Sequence, residues 1–490
     1  MKKLLYKLYT LTLLAFMGTM CYAVPPRLPR GETSTLSFSE DGCPTMRLLM
    51  SDQVATSART APRNAIGTRT ILPKIPVIMV NFADMAYRTP RSAAEEMFAN
   101  ITTYFSDQSF GEYTPQFDLY GPITLSQSYA YYGAGNPGNK VTDMVTEACQ
   151  LMDDSLDFSL YDTNNDGKID LVFVLFAGPP MSDKGGISST WISDPSNLIW
   201  PHYWYYNSGV TLDGKSIYAY EVSSELDGFF SNDSIAVPAG IGLAAHEFGH
   251  ALGLPDFYPS GGVGTYKTLG EWSLMDYGCY LNNVKTPAGF TAYERWFMNW
   301  ITPTQLIDST QVTLAPINTS GESYIICDSG IVHNLNAQNP SPQVCYILEN
   351  RQQTGWDTYI PGHGLLIYRF NHAKWSQSYV NASQTDMGLD IIEADGITTS
   401  AADIQGKQGD AFPYNTITSF TPYPYAPIYD ITEEDGNIHF IFRGLPPSAP
   451  TGIEDAIMPK LPNIRTILLP SGQIVILRDN KTYTLQGIEL

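Results

Sequence analysis

His246 and His250 stand four residues apart in the run HEFGHALGLPD, with Glu247 directly after the first. On an α-helix, residues i and i+4 share one face, one turn apart, so this spacing points both imidazoles at a single metal ion. Neutral imidazoles suit zinc, and a catalytic zinc keeps three protein ligands and a water. Glu247, beside the first ligand, can reach that water and take its proton as it attacks a carbonyl carbon. Gly253 follows three residues after His250. A glycine there can take positive φ, end the helix and turn the chain back, which presents Asp256 as the third ligand. The alternative is that Asp256 only brackets the turn LPDFY and another carboxylate, such as Glu294, completes the zinc shell.

A chain of 490 residues predicts more than one folding unit. IPVIMVNFAD (75–84) and LVFVLFAG (171–178) are unbroken apolar runs, as buried strands require. Between them, PRSAAEEMFANITTYFSDQS has helical spacing. Phe98, Ile101, Thr102 and Phe105 fall on one face, and Ser92 can cap the start. VTDMVTEACQLMDD also reads as a helix. This order predicts an α/β layer. After about residue 304 come SYIICD, VCYILEN, GLLIYRF and IHFIFRG, short β-type runs split by turn residues. They predict a following all-β domain over 305–445. A Pro-rich linker then leads to RTILLPSGQIVILRDNKTYTLQGIEL, a small β tail within 446–490.

The N-terminus predicts export. Lys2, Lys3 and Lys7 precede a short apolar run that ends near Ala23, so 1–23 read as a cleaved signal and the protein as secreted or bound at the cell surface. No other segment is long and apolar enough to span a bilayer as a helix. The formal net charge of −21 argues against nucleic acid and anionic membrane as partners. Residues 24–72 form a candidate pro-segment and linker, and 73–304 the catalytic domain. Cys43, in EDGCPT, could place a thiolate on the zinc and hold the enzyme latent. Arg59, Arg63 and Arg69 make the following stretch an open target for a protease. Cys327 and Cys345 fall in neighbouring strand-like runs and could pair.

DTNNDGKID (162–170) matches the first nine positions of an EF-hand-type calcium loop. Asp162, Asn164, Asp166 and Asp170 offer side-chain oxygens, Gly167 makes the turn and Lys168 offers its carbonyl. The twelfth position is Phe173, so the bidentate Glu is missing. The alternative is an Asp/Asn-rich turn before a strand.

The stretches YFSDQSFGEYTPQFDLYGPI, YDTNNDGKIDLVFVLFAG, IWPHYW, HEFGHALGLPDFY, WSLMDYGCY, FTAYERWFMNWITP and LENRQQTGWDTYIPGHGLLIYRF resemble the immune inhibitor A family of secreted bacterial metalloproteases, in its Bacteroidetes form. The resemblance covers roughly residues 75–445. It implies an α/β (α+β) metzincin-like catalytic domain, a zinc endopeptidase activity on protein substrates, zinc on His246, His250 and Asp256, and Glu247 as the base. It also implies that Met275 floors the zinc site and that Tyr277 assists at the zinc or the oxyanion. The tail is similar to segments that address Bacteroidetes proteins to an outer-membrane secretion machinery. A competing class is a catalytically idle adhesion or glycan-binding protein on the same scaffold. Such a protein has no use for Glu247.

Overall fold

A computed structural model describes residues 22–25, 27, 72–134, 137–205, 209–259, 266–327, 344–371, 374, 380–381, 383–398, 406–423, 426–443 and three strands within 465–483. The expected signal body, Cys43 and the arginines at 59–69 lie outside the described residues.

A six-stranded mixed sheet carries the site. Its strands are β1 (Tyr22–Ala23), β2 (Lys74–Asn81), β3 (Gln116–Thr124), β5 (Val172–Phe176), β6 (His202–Tyr205) and β9 (Ala219–Ser224), in the order β1-β6-β9-β5-β2-β3. β3, β2, β5 and β9 run parallel, whereas β6 is antiparallel to β9 and β1 antiparallel to β6. β2 and β5 are apolar on both faces because both faces are covered, and every residue of β5 is buried. A small ribbon of β4 (Lys168–Ile169), β7 (Thr211–Leu212) and β8 (Lys215–Ile217) flanks this layer in sequence.

Helix α1 (Arg91–Gln108) buries Ala94, Met97, Phe98, Ile101, Tyr104 and Phe105, a stripe at three- and four-residue spacing. Phe98 packs on Phe117 and Phe173 of the sheet. The helix starts one residue before the expected cap. Pro90 is the N-cap, in extended conformation, and Ser92 sits exposed in the first turn. Thr102 is only half-buried, its hydroxyl bonded to the Pro115 carbonyl. Helix α2 (Pro137–Met152) contributes Val141, Met144, Val145, Ala148 and Cys149 to the same core. Helix α3 (Gly242–Ala251) is buried along its whole length.

The β-rich region begins where the sequence changes character. β10 (Thr304–Gln305), β12 (Tyr324–Cys327), β13 (Val344–Arg351), β14 (Gly364–Asn371) and β15 (Leu389–Ile391) form one sheet, and β11 (Thr310–Leu314), β17 (Asn437–Phe442) and β16 (Ile428–Glu434) another. Packing does not stop at the expected boundary. Residues up to Gly444 belong to one compact unit, and Ile325, Ile347, Leu366, Tyr368 and Leu389 share a continuous apolar core with the six-stranded layer. A buried polar hub crosses the same line. Arg351 forks onto Asp357 at 2.8 and 2.6 Å and bonds the carbonyls of Trp272 and Gly289, while Glu349 takes the Ala292 N–H at the start of α4 (Ala292–Phe297). Leu445–Leu490 is a second unit. It holds an antiparallel meander of β18 (Arg465–Leu468), β19 (Ile474–Arg478) and β20 (Lys481–Tyr483), matching the strand-turn-strand pattern of the sequence.

Candidate metal centre and active site

α3 places both histidines as the spacing requires. Its end is a glycine cap. Gly253 has φ 99°, its N–H bonds the His250 carbonyl at 2.9 Å, and the Leu254 N–H bonds the Gly249 carbonyl at 3.1 Å. This crossed pair of bonds is the Schellman motif, which needs a residue at positive φ. The chain then reverses, and Asp256 Oδ1 comes to 3.2 Å from His246 Nε2 and 3.1 Å from His250 Nε2.

The two Nε2 atoms are themselves 3.2 Å apart. His246 Nδ1 lies 2.8 Å from the Leu274 carbonyl and His250 Nδ1 2.8 Å from the Leu254 carbonyl. A carbonyl can only accept, so each Nδ1 carries the proton and each Nε2 turns a lone pair inward. Burial pulls the His246 imidazole below its ordinary pKa and keeps it neutral. Two lone pairs and a carboxylate oxygen therefore converge in a buried place, an arrangement that repels itself without a cation. Tetrahedral zinc ligands at 2.0–2.1 Å stand about 3.3 Å from one another, close to the three separations seen here. Among the described residues, His246, His250 and Asp256 are the group of acidic, histidine and cysteine side chains placed to share one ion. Against the upward push of burial, the two imidazoles hold the Asp256 carboxyl below the usual range.

Glu294, the alternative ligand, is engaged elsewhere. Its Oε2 takes the Thr291 N–H at 2.6 Å and its Oε1 the Ser273 hydroxyl at 3.2 Å, in a capping box that starts α4. Met275 lies against α3: a Cβ added at Gly249 would meet its sulfur at 2.6 Å, so the glycine between the histidines leaves room for it. The Met275 carbonyl also holds the Phe257 N–H at 2.9 Å, next to Asp256. Tyr277 is buried, its backbone N–H on Asp276 Oδ1 at 2.9 Å, and burial, with the nearby Asp276 adding to it, holds its phenol well above the usual range. Among the described residues its hydroxyl is not bonded to either histidine. The ring beside His246 is that of Tyr258, stacked at 6.5 Å.

Glu247 lies on α3 with its carboxylate facing the N-terminal strand, and Oε1 takes the Val24 N–H at 2.7 Å. Burial, with Asp256 and Glu221 adding to it, holds its carboxyl well above the ordinary range. Glu221, on β9, has both oxygens buried without a hydrogen bond, and sequence reasoning passed over it because a lone Glu in a strand carries no spacing signal. Asp276 was also missed. It clips the loop under the site by accepting the Thr268 hydroxyl at 2.7 Å and the Gly270 N–H at 2.9 Å.

The side-chain oxygens of the calcium-like loop are engaged within the protein. Asp162 takes the N–H groups of Asp166 and Gly167 and the Lys215 ammonium at 2.6 Å. Asn164 and Asp166 accept backbone N–H groups within the loop, from Asp166 and Lys168, and Asp170 binds the Thr163 N–H and hydroxyl.

The helix-borne histidine pair, the carboxylate on a returning turn and the glutamate beside them, set beneath an antiparallel edge strand, are the arrangement of a metallopeptidase centre. Residues 78–302 match the family model of the immune inhibitor A peptidase M6 catalytic domain. The chain is 25% identical over 259 residues to a pre-pro-metalloprotease, PrtV, of Vibrio cholerae serotype O1, covering 46% of this chain and 26% of that one. It is 28% identical over 220 residues to an immune inhibitor A of Bacillus thuringiensis subsp. alesti, covering 40% and 31%. The chain thus spans less than a third of these relatives' own length. These likenesses support a catalytic region of metallopeptidase type over the matched residues. No helix among the described residues is long and apolar enough to cross a membrane.

Proposed function

We propose that this chain is a secreted zinc endopeptidase that cleaves extracellular proteins, with His246, His250 and Asp256 holding the metal and Glu247 as general base. The observation that carries the reading is the triangle of two inward lone pairs and a carboxylate oxygen with sides of 3.1–3.2 Å. A zinc ion there supplies Lewis acidity toward water and the scissile carbonyl. Leu274 and Leu254 fix the tautomers of the two ligands, and Met275 sets the floor. Glu247, kept basic by burial, takes the proton of the attacking water and passes it to the leaving nitrogen. Export follows from the lysine-led apolar N-terminus, and the pro-segment of 24–72 keeps the enzyme latent until it is displaced.

The test is casein hydrolysis by the metal-loaded chain, with and without a chelator, beside Glu247→Ala. Chelation should abolish turnover, and Glu247→Ala should keep the metal while losing on the order of a thousandfold in rate, the scale of general-base chemistry. Near-normal turnover in a metal-loaded Glu247→Ala chain would refute the assignment. A wild type that holds zinc and cleaves no protein would favour the idle-scaffold reading.

A further inference from the structure

Before the expected leader is removed, residues 22–25 and 27 lie across the site as a peptide would. β1 pairs antiparallel with β6, Tyr22 opposite Tyr203 and Ala23 opposite His202. Without it, β6 would be the outermost strand of the sheet among the described residues, open to an added strand. Beyond the pairing, four backbone groups are held. The Val24 N–H goes to Glu247, the Val24 carbonyl takes the Trp200 indole N–H at 3.0 Å, the Pro25 carbonyl takes the Tyr280 hydroxyl, and the Arg27 N–H goes to the Ser182 carbonyl at 3.0 Å. Contacts to backbone alone are blind to sequence, so any peptide in this track would take the same register.

One side chain of the segment is read. The Arg27 guanidinium enters a buried pocket, where Nη1 meets Asp183 Oδ2 at 3.1 Å and Asp227 Oδ1 at 2.9 Å, and it lies 4.4 Å over the Phe229 ring. Both carboxylates are almost wholly buried, at 1% and 2% side-chain exposure. They are held from behind by the N–H groups of Gly228 and Phe229. Asp183 Oδ1 has no hydrogen bond even with the arginine in place. Burial pushes the Asp183 carboxyl up to about 7 although Arg27 pulls it down. Two adjacent buried acids are costly without a cation. A planar guanidinium that can bridge two carboxylates and stack on a ring suits the pocket better than an ammonium.

We infer that Asp183 and Asp227, with Phe229 as the wall, form a specificity pocket that takes an arginine side chain of the peptide substrate, at a fixed distance on the C-terminal side of the bond cleaved. This rests on the peptidase reading above. In the uncut chain, Arg27 fills the pocket in the substrate's place.

The experiment uses the full chain carrying Arg27→Ala, which empties the pocket, loaded with zinc. A proteome-derived peptide library is digested, and the binding of a labelled AVPPRL peptide and its AVPPAL counterpart is measured by fluorescence anisotropy. Cleaved peptides should be enriched in arginine at one position after the cut, and AVPPRL should bind at least tenfold tighter than AVPPAL. Asp183→Asn with Asp227→Asn should erase both preferences, and a KM rise for arginine-containing peptides rather than a kcat fall should account for the loss. If the double variant does not fold, as judged by its melting curve, Asp227→Asn alone should reduce both preferences, since an asparagine can still accept the Phe229 N–H. No arginine enrichment together with equal binding of the two peptides, or preferences that survive in the Asn variants, overturns the pocket. A chain that cleaves nothing yet binds AVPPRL selectively would sink the peptidase reading and leave the pocket standing.

Discussion

Arg27→Ala should raise the activity of the uncut chain. The segment that covers Glu247 is held by four backbone contacts and by one charged side chain. Those backbone contacts survive the substitution, so the change is the loss of one cation from between two buried carboxylates. Coupling between close, desolvated charges runs from roughly 1.5 to 7 kcal/mol. The pocket is dry, but Asp183 already resists ionisation, so a value in the lower half, about 3–4 kcal/mol, is reasonable. At 1.4 kcal/mol per decade, the equilibrium between covered and open cleft shifts by roughly 100- to 1000-fold. When the cleft is covered nearly all the time, turnover follows the open fraction, and the same factor appears in the rate. The assay is hydrolysis of a fluorogenic peptide by wild type and Arg27→Ala, with metal content measured and mass spectrometry showing that Val24–Arg27 is still attached. Arg27→Lys should fall between them, because it keeps the charge and loses the planar stack on Phe229. Equal rates in intact, metal-loaded wild type and Arg27→Ala would refute the idea that this side chain holds the cleft shut.

Three further outcomes are expected. Asp256→Ala should strip zinc, read by elemental analysis, while Glu294→Ala should keep zinc and lower the melting temperature through loss of the α4 capping box; the reverse pattern would move the third ligand to Glu294. Lys215 occupies Asp162 as a calcium ion would, so Lys215→Met should enlarge any calcium-dependent rise in melting temperature, and Asp162→Ala with Asp166→Ala should remove it; one identical rise in all three chains would place calcium outside this loop. Cys327 and Cys345 face each other across β12 and β13 with sulfurs 2.8 Å apart and both are buried thiols, so mild oxidation should remove two alkylatable cysteines and join the peptides that hold them; two separate peptides after oxidation would refute the pairing.

The parts of the site legible in the sequence are the parts that local spacing encodes. The His246–His250 pair follows from the pitch of a helix and the return of Asp256 from a glycine cap, whereas Met275 came only with the resemblance that WSLMDYG helps to carry. α1 was legible as a stripe but not in its first turn, because the proline ring fixes the backbone at residue 90 and leaves Ser92 nothing to cap. The calcium-like loop matched nine positions and lacked its twelfth, and nothing local told of Lys215, which meets Asp162 from another strand some fifty residues on. Asp183, Asp227 and Arg27 were invisible for the same reason. Each is an ordinary charged residue until the fold brings three distant segments together. Arg27 was further hidden by standing in VPPR, just after what reads as a leader. The β-rich region reads as a separate domain because its runs change from helical to strand type near residue 304, and strand patterns do not say which face meets which neighbour.

The shared core has a consequence for how such enzymes can diverge. The stretch that matches the family model, 78–302, is not a unit of folding here. Its α4 start rests on Glu349, its Trp272 on Asp410, and its apolar interior continues through β13 and β14. A crossover between relatives at residue 303 would set the Trp272 and Gly289 carbonyls against a stranger's Arg351 and part the buried Lys267 ammonium from the buried Asp410 carboxylate. Recombination that respects this protein has its break near 444, so the two halves of its core are bound to change together, each substitution on one side setting what the other side tolerates.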